Sequence, residues 1–69
     1  MPYYMVLFKY EHRNGDFKPP AGVLGETVGE TDRGVMGVYY VPDGDFESFI
    51  LELKSCPTFL ECQLLEALP

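Results

Sequence analysis

His12 is the one histidine of the chain and the one side chain whose ordinary pKa lies near neutrality, which makes it the candidate for general acid–base work. Glu11 stands beside it, but adjacent residues of an extended chain point apart, so Glu11 is badly placed to orient the imidazole. The position abuts a turn-rich, charged loop, and the plainer reading is a solvated loop histidine. The other candidates are tyrosines. Tyr4, Tyr10, Tyr39 and Tyr40 each combine an apolar body with one polar tip, which suits the wall of a cleft for a small apolar or aromatic ligand. The competing reading, also open to Tyr3, is core and interface packing, the usual fate of aromatic-rich strands.

Other constellations fail on spacing. Asp43, Gly44, Asp45, Phe46 and Glu47 resemble the start of a calcium loop, but the later ligands of a twelve-residue EF-hand loop do not follow. Turn chemistry explains Asp43 and Gly44. Gly22, Gly25 and Gly29 are not a phosphate cradle, because Glu26, Glu30 and Asp32 surround them and would repel phosphate. Ser48, Ser55, Cys56 and Cys62 lie far in sequence from the histidine, so a nucleophile–base pair requires the fold to close that gap. No CxxC or HxxxH spacing accompanies His12, and no metal or other cofactor is expected. A bridge between Cys56 and Cys62 would close a very short loop and constrain little of the unfolded chain; both read as reduced, partly buried thiols.

Sixty-nine residues make one domain, residues 1–69. Nearly half are apolar, with five Phe and five Tyr, too much for a disordered tail. A core of this size rarely supplies more than about 3–5 kcal/mol, so a disulfide, a metal or a partner subunit is a common addition. Eleven acidic against five basic side chains give a net charge of −6, which disfavours nucleic acid and suits a basic protein partner. No stretch reaches the roughly 20 apolar residues of a membrane span. The N-terminal MPYYMVLFKYEHR lacks the basic region and cleavage site of a signal peptide, and a cytoplasmic location is expected.

The elements are read from periodicity. Tyr3 to Tyr10 is dense in aromatic and branched residues and predicts a strand apolar on both faces: Tyr3, Met5 and Leu7 on one, Tyr4, Val6, Phe8 and Tyr10 on the other. Glu11 to Pro20 is turn-rich. Ala21 to Arg33 fits a short, glycine-weakened helix or an irregular loop equally well. Val35 to Val41 predicts a second two-faced strand, with Val35, Tyr39 and Val41 opposed to Met36, Val38 and Tyr40. Phe46 to Lys54 matches a helix stripe (Phe46, Phe49, Ile50, Leu53) and a strand alternation (Phe49, Leu51, Leu53); the preceding Pro42-Asp43-Gly44 turn favours the strand. Thr58 to Leu68 predicts a helix, from a Thr58-x-x-Glu61 capping box and a face of Leu60, Leu64, Leu65 and Leu68, with an edge strand as its rival.

GVYYVPDG (Gly37 to Gly44), then Asp45-Phe46, a strand from Phe49 to Leu53, Pro57 and a helix resemble the ferredoxin-like, dimeric α+β-barrel proteins, and within them the small GYD-type domains of unassigned function. The resemblance covers residues 34–68. It implies an α+β fold, a small antiparallel sheet in the order β-α-β-β-α with helices on one face and the last strand absent if the C-terminal segment is helical. It also implies sheet-on-sheet pairing, in a group that includes isomerases, monooxygenases and ligand sensors. The two-faced strands lead independently to a homodimer or higher homo-oligomer, since a chain this short must borrow a second layer. The expected function is thus a small acidic homo-oligomeric module, able to seat a small apolar or aromatic ligand between sheet and helices. The alternatives are a small enzyme using His12 and a tyrosine, and an acidic inhibitor or adaptor of a basic protein.

Overall fold

A computed structural model describes residues 2–65. The chain forms four strands and one helix: β1 (Tyr3–Phe8), β2 (Leu24–Thr31), β3 (Gly34–Tyr40), α1 (Phe46–Lys54) and β4 (Phe59–Leu65), with a 3-10 turn at Asp43–Asp45 leading into α1. The strands make one sheet in the order β2-β3-β1-β4, every neighbouring pair antiparallel. It is an α+β fold with an antiparallel sheet and its helix on one face, as expected.

Three elements differ from the sequence-based expectation. Residues 24–31, expected as helix or loop, are the edge strand β2. Gly25 explains why. A Cβ there would collide with the carbonyl oxygen of Val38 and lie 2.5 Å from the Tyr39 ring, while one on Gly37 would lie 2.7 Å from the same ring. The two glycines form a bed for Tyr39, so glycine here permits close approach across a sheet rather than weakening a helix. Residues 46–54, expected as a strand, are α1. Pro42-Asp43-Gly44 does turn the chain, but as a 3-10 turn in which the Asp45 N–H donates to the Pro42 carbonyl, and it opens the helix instead of closing a hairpin. The helical stripe then buries Phe49 and Leu53, with Glu47 in the first turn and Lys54 in the last, both favourable to the helix dipole.

Residues 59–65, expected within a helix, are the edge strand β4. Thr58 does not cap anything: its hydroxyl is engaged by His12 and Cys56, and Glu61 pairs with Arg33 at 2.9 Å. The Lys9 N–H donates to the Thr58 carbonyl at 2.7 Å, tying the start of β4 to β1. Leu68, part of the expected apolar face, lies outside the described residues. The last strand is therefore present, and β1 is central rather than an edge.

The core lies on one side of the sheet. Val6, Phe8, Tyr39 and Val41 meet Phe49 and Leu53 of α1, and Phe17 and Val23 from the β1–β2 connection close the rest. Phe49 is fully buried, with ring centroids 5.8–5.9 Å from Tyr4, Phe17 and Tyr39. Burying one such side chain contributes roughly 1.5–3 kcal/mol, a large share of what so small a core supplies.

Candidate functional site

The register lays out the opposite sheet face row by row. Leu24, Tyr40, Tyr3 and Leu65 pair in sequence across all four strands, an unbroken apolar row. The next row reads Glu26, Val38, Met5, Gln63, and in the third Met36 and Leu7 are followed by Glu61. The centre is thus apolar, with polar groups at its borders. No helix covers this side among the described residues. Leu24 is 70% exposed and Tyr3 43%, whereas Leu7 is buried at the end where Arg33 reaches Glu61. A shallow groove of about 620 Å³ runs along the β2 side of the face, lined by Tyr3, Leu24, Val28, Val38 and Tyr40 with Glu26 as its one charged side chain. The irregularity between Thr27 and Gly29 brings Val28 into it.

A polar cluster lies under the other face. The His12 ring stacks on Phe8 at 3.8 Å between centroids, with 11° between planes. Its Nδ1 lies 2.6 Å from Thr58 Oγ1; Thr58 Oγ1 lies 3.2 Å from Cys56 Sγ; and Cys56 Sγ lies 3.6 Å from the Asp16 carbonyl oxygen. One proton per group satisfies all three contacts in only one direction. His12 Nδ1–H donates to Thr58, the Thr58 hydroxyl donates to Cys56, and the thiol donates to the Asp16 carbonyl, which accepts only. His12 Nε2 then carries the free lone pair. Burial lowers the His12 pKa below its ordinary 6.5, with the Asp16 charge acting in the opposite direction, so the neutral ring prevails at neutral pH.

A pocket of about 150 Å³ opens beside this cluster, lined by His12, Asn14, Phe17, Thr27 and Tyr39 among others. Tyr39 is only 4% exposed. Its hydroxyl makes no hydrogen bond among the described residues. Burial first, and the nearby Cys56 second, raise the Tyr39 pKa, so the phenol keeps its proton.

The expected ligand-binding tyrosines do not converge. Tyr40 lines the groove of the open face, and Tyr39 lines the small pocket beneath the sheet. Tyr4 packs between Phe46 and Phe49. Tyr10 is exposed and donates its hydroxyl to the Thr31 carbonyl at 2.6 Å. His12 is a stacked, half-buried side chain rather than a solvated one, and Glu11 takes no part in orienting it. The fold also closes the gap between histidine and thiol that sequence distance leaves open, though Cys56 itself is buried. Thr58, the link between them, carries no sequence signal beyond its misleading capping pattern.

No protein-family model, curated protein or solved structure matches this chain. Among the described residues, no three His, Cys, Asp or Glu side chains are grouped to hold a metal ion, and no helix is long and apolar enough to cross a membrane.

Proposed function

We propose that the chain is a small acidic homo-oligomeric module in which the open sheet face packs against the same face of a second copy. The observation that carries this reading is the four-strand apolar row Leu24–Tyr40–Tyr3–Leu65, continued by Val38, Met5, Met36 and Leu7 and bordered by Glu26, Gln63 and Glu61. An apolar centre rich in Tyr and Met inside a polar rim is the anatomy of a protein interface. The size fits as well. The molecule measures 30 × 27 × 16 Å, and its broad side is on the order of the ~800 Å² that each partner contributes to a stable interface. In such a pair the Tyr3–Tyr40 groove becomes enclosed, and a small apolar or aromatic ligand is the occupant its lining suits.

Native mass spectrometry of freshly purified protein tests the reading, because one spectrum reports stoichiometry and any retained ligand. A dimer or larger ring supports it. A clean monomer at high concentration, with no dye-accessible apolar surface, overturns it.

A further inference from the structure

We propose that the pocket lined by His12, Phe17, Thr27 and Tyr39 is a proton-transfer site for a small, neutral α-hydroxy carbonyl compound. The pocket lies on the covered side of the sheet, so the proposal does not depend on self-association through the open face.

Two polar tips define the site. The Tyr39 hydroxyl donates to no group among the described residues, and since no buried side-chain oxygen or nitrogen there lacks a partner, its tip reaches solvent and is free to donate to a bound molecule although the residue as a whole is only 4% exposed. His12 is held from behind, with Nδ1 committed to Thr58 and the ring clamped on Phe8, which leaves Nε2 as an acceptor. Both residues line one pocket of about 150 Å³, roughly the space of five water molecules at ~30 Å³ each. That admits a molecule of about five or six heavy atoms. No Lys or Arg lines it and Glu26 does, so a carboxylate or phosphate would meet a like charge and no counter-charge. A neutral carbonyl oxygen can accept from Tyr39 while the neighbouring carbon presents its hydrogen to His12.

The step balances within those groups. His12 Nε2 removes the proton from the hydroxyl-bearing carbon, and the C–H electron pair becomes the carbon–carbon double bond. The carbonyl π pair moves to oxygen, which takes the Tyr39 proton, and an enediol forms. In reversal the oxygen returns its proton to the Tyr39 phenolate, the carbonyl re-forms, and the imidazolium, having exchanged with water, delivers a solvent-derived proton to the same carbon. Burial supports both roles, keeping the phenol protonated and the imidazole neutral at neutral pH.

Hydroxyacetone in D2O is the probe, followed by proton NMR with the full chain. The expected result is loss of the methylene signal about 10²-fold faster than with free imidazole at equal concentration, together with shifts of the His12 and Tyr39 side-chain resonances. Tyr39→Phe removes only the unpartnered hydroxyl and should abolish that excess rate. His12→Gln, a second variant in case the first fails to fold, should do the same. Exchange no faster than with free imidazole overturns the proposal, as does a folded Tyr39→Phe that keeps the wild-type rate. Resonance shifts without exchange also overturn it, since they show binding without proton transfer.

Discussion

Val38→Lys is the sharpest probe of the open face. In register Val38 lies between Glu26 of β2 and Met5 of β1, near the middle of the apolar centre. Within one chain the change is mild: the side chain is half-buried, and a lysine directly opposite Glu26 gains a cross-strand ion pair of about 0.2–1 kcal/mol. In a two-fold dimer the same change appears twice, and each ammonium enters an apolar interface. Allowing for the long stem to bend toward the rim, a penalty of about 2 kcal/mol per site gives ~4 kcal/mol per dimer. At about 1.4 kcal/mol per decade, that weakens association about 10³-fold. Sedimentation equilibrium across a concentration series measures it, with thermal unfolding by circular dichroism as the check on the fold. Leu51→Lys serves as control, since Leu51 is 65% exposed on the helix, away from this face. If Val38→Lys folds normally and dimerises within about threefold of wild type, the open face is not the interface and the reasoning from its pattern is refuted.

Gly25→Ala and Gly29→Ala should separate cleanly: a Cβ at 25 collides with the Val38 backbone and the Tyr39 ring, whereas one at 29 meets nothing within 4 Å. Urea unfolding should show a loss of about 3 kcal/mol or more for the first and a change within about 0.5 kcal/mol for the second; equal effects would contradict the packing of Tyr39. Because burial lowers the His12 pKa, the unfolded chain takes up a proton as pH falls through about 6.5 while the folded chain does not. Stability should be full above that pH and decline from there toward the lower folded value, and His12→Gln should flatten that part of the stability–pH curve. Burial raises the Cys62 pKa, so its reaction with a disulfide reagent at about pH 8 should be much slower in the native state than in urea; equal rates would mean that the thiol is open to solvent.

The strands β1 and β3 are legible in the sequence because branched and aromatic residues fill both of their faces, and nothing else packs that way over so few residues. The helix α1 is half-legible. Phe46, Phe49, Ile50 and Leu53 write its stripe plainly, but alternate residues also fit a strand, and Pro42-Asp43-Gly44 marks a change of direction without specifying the element beyond it. β2 and β4 escape a local reading for long-range reasons. Gly25 is dictated by a tyrosine fourteen residues away in the chain, and Thr58 by a histidine 46 residues away. Neither partner leaves a local pattern. The same holds for the small pocket: His12 and Tyr39 stand out by residue type, yet only the fold puts them on one cavity and commits Nδ1 to Thr58.

The case for a second layer begins with the two-faced strands β1 and β3, and Leu24 of β2 and Leu65 of β4 extend it across the whole sheet. What the fold adds is that the described residues leave no element over to form that layer. Its nine-residue helix and the β1–β2 connection, with Phe17 and Val23, are both used on one side of a four-stranded sheet. At 16 Å in its thinnest dimension the molecule is two layers deep, since packed layers sit about 10 Å apart. The apolar row and the His12–Tyr39 pocket therefore lie on opposite sides of one sheet, and β3 serves both, with Val38 and Tyr40 facing out and Tyr39 facing in. This makes the two proposals separable by substitutions on opposite faces. Met5→Lys, at the centre of the open face and in neither pocket, should weaken association and leave hydroxyacetone exchange unchanged, while Tyr39→Phe should abolish the exchange and leave association intact. If either substitution moves both readouts, the sheet is transmitting between its faces, and the independence assumed for the two sites is wrong.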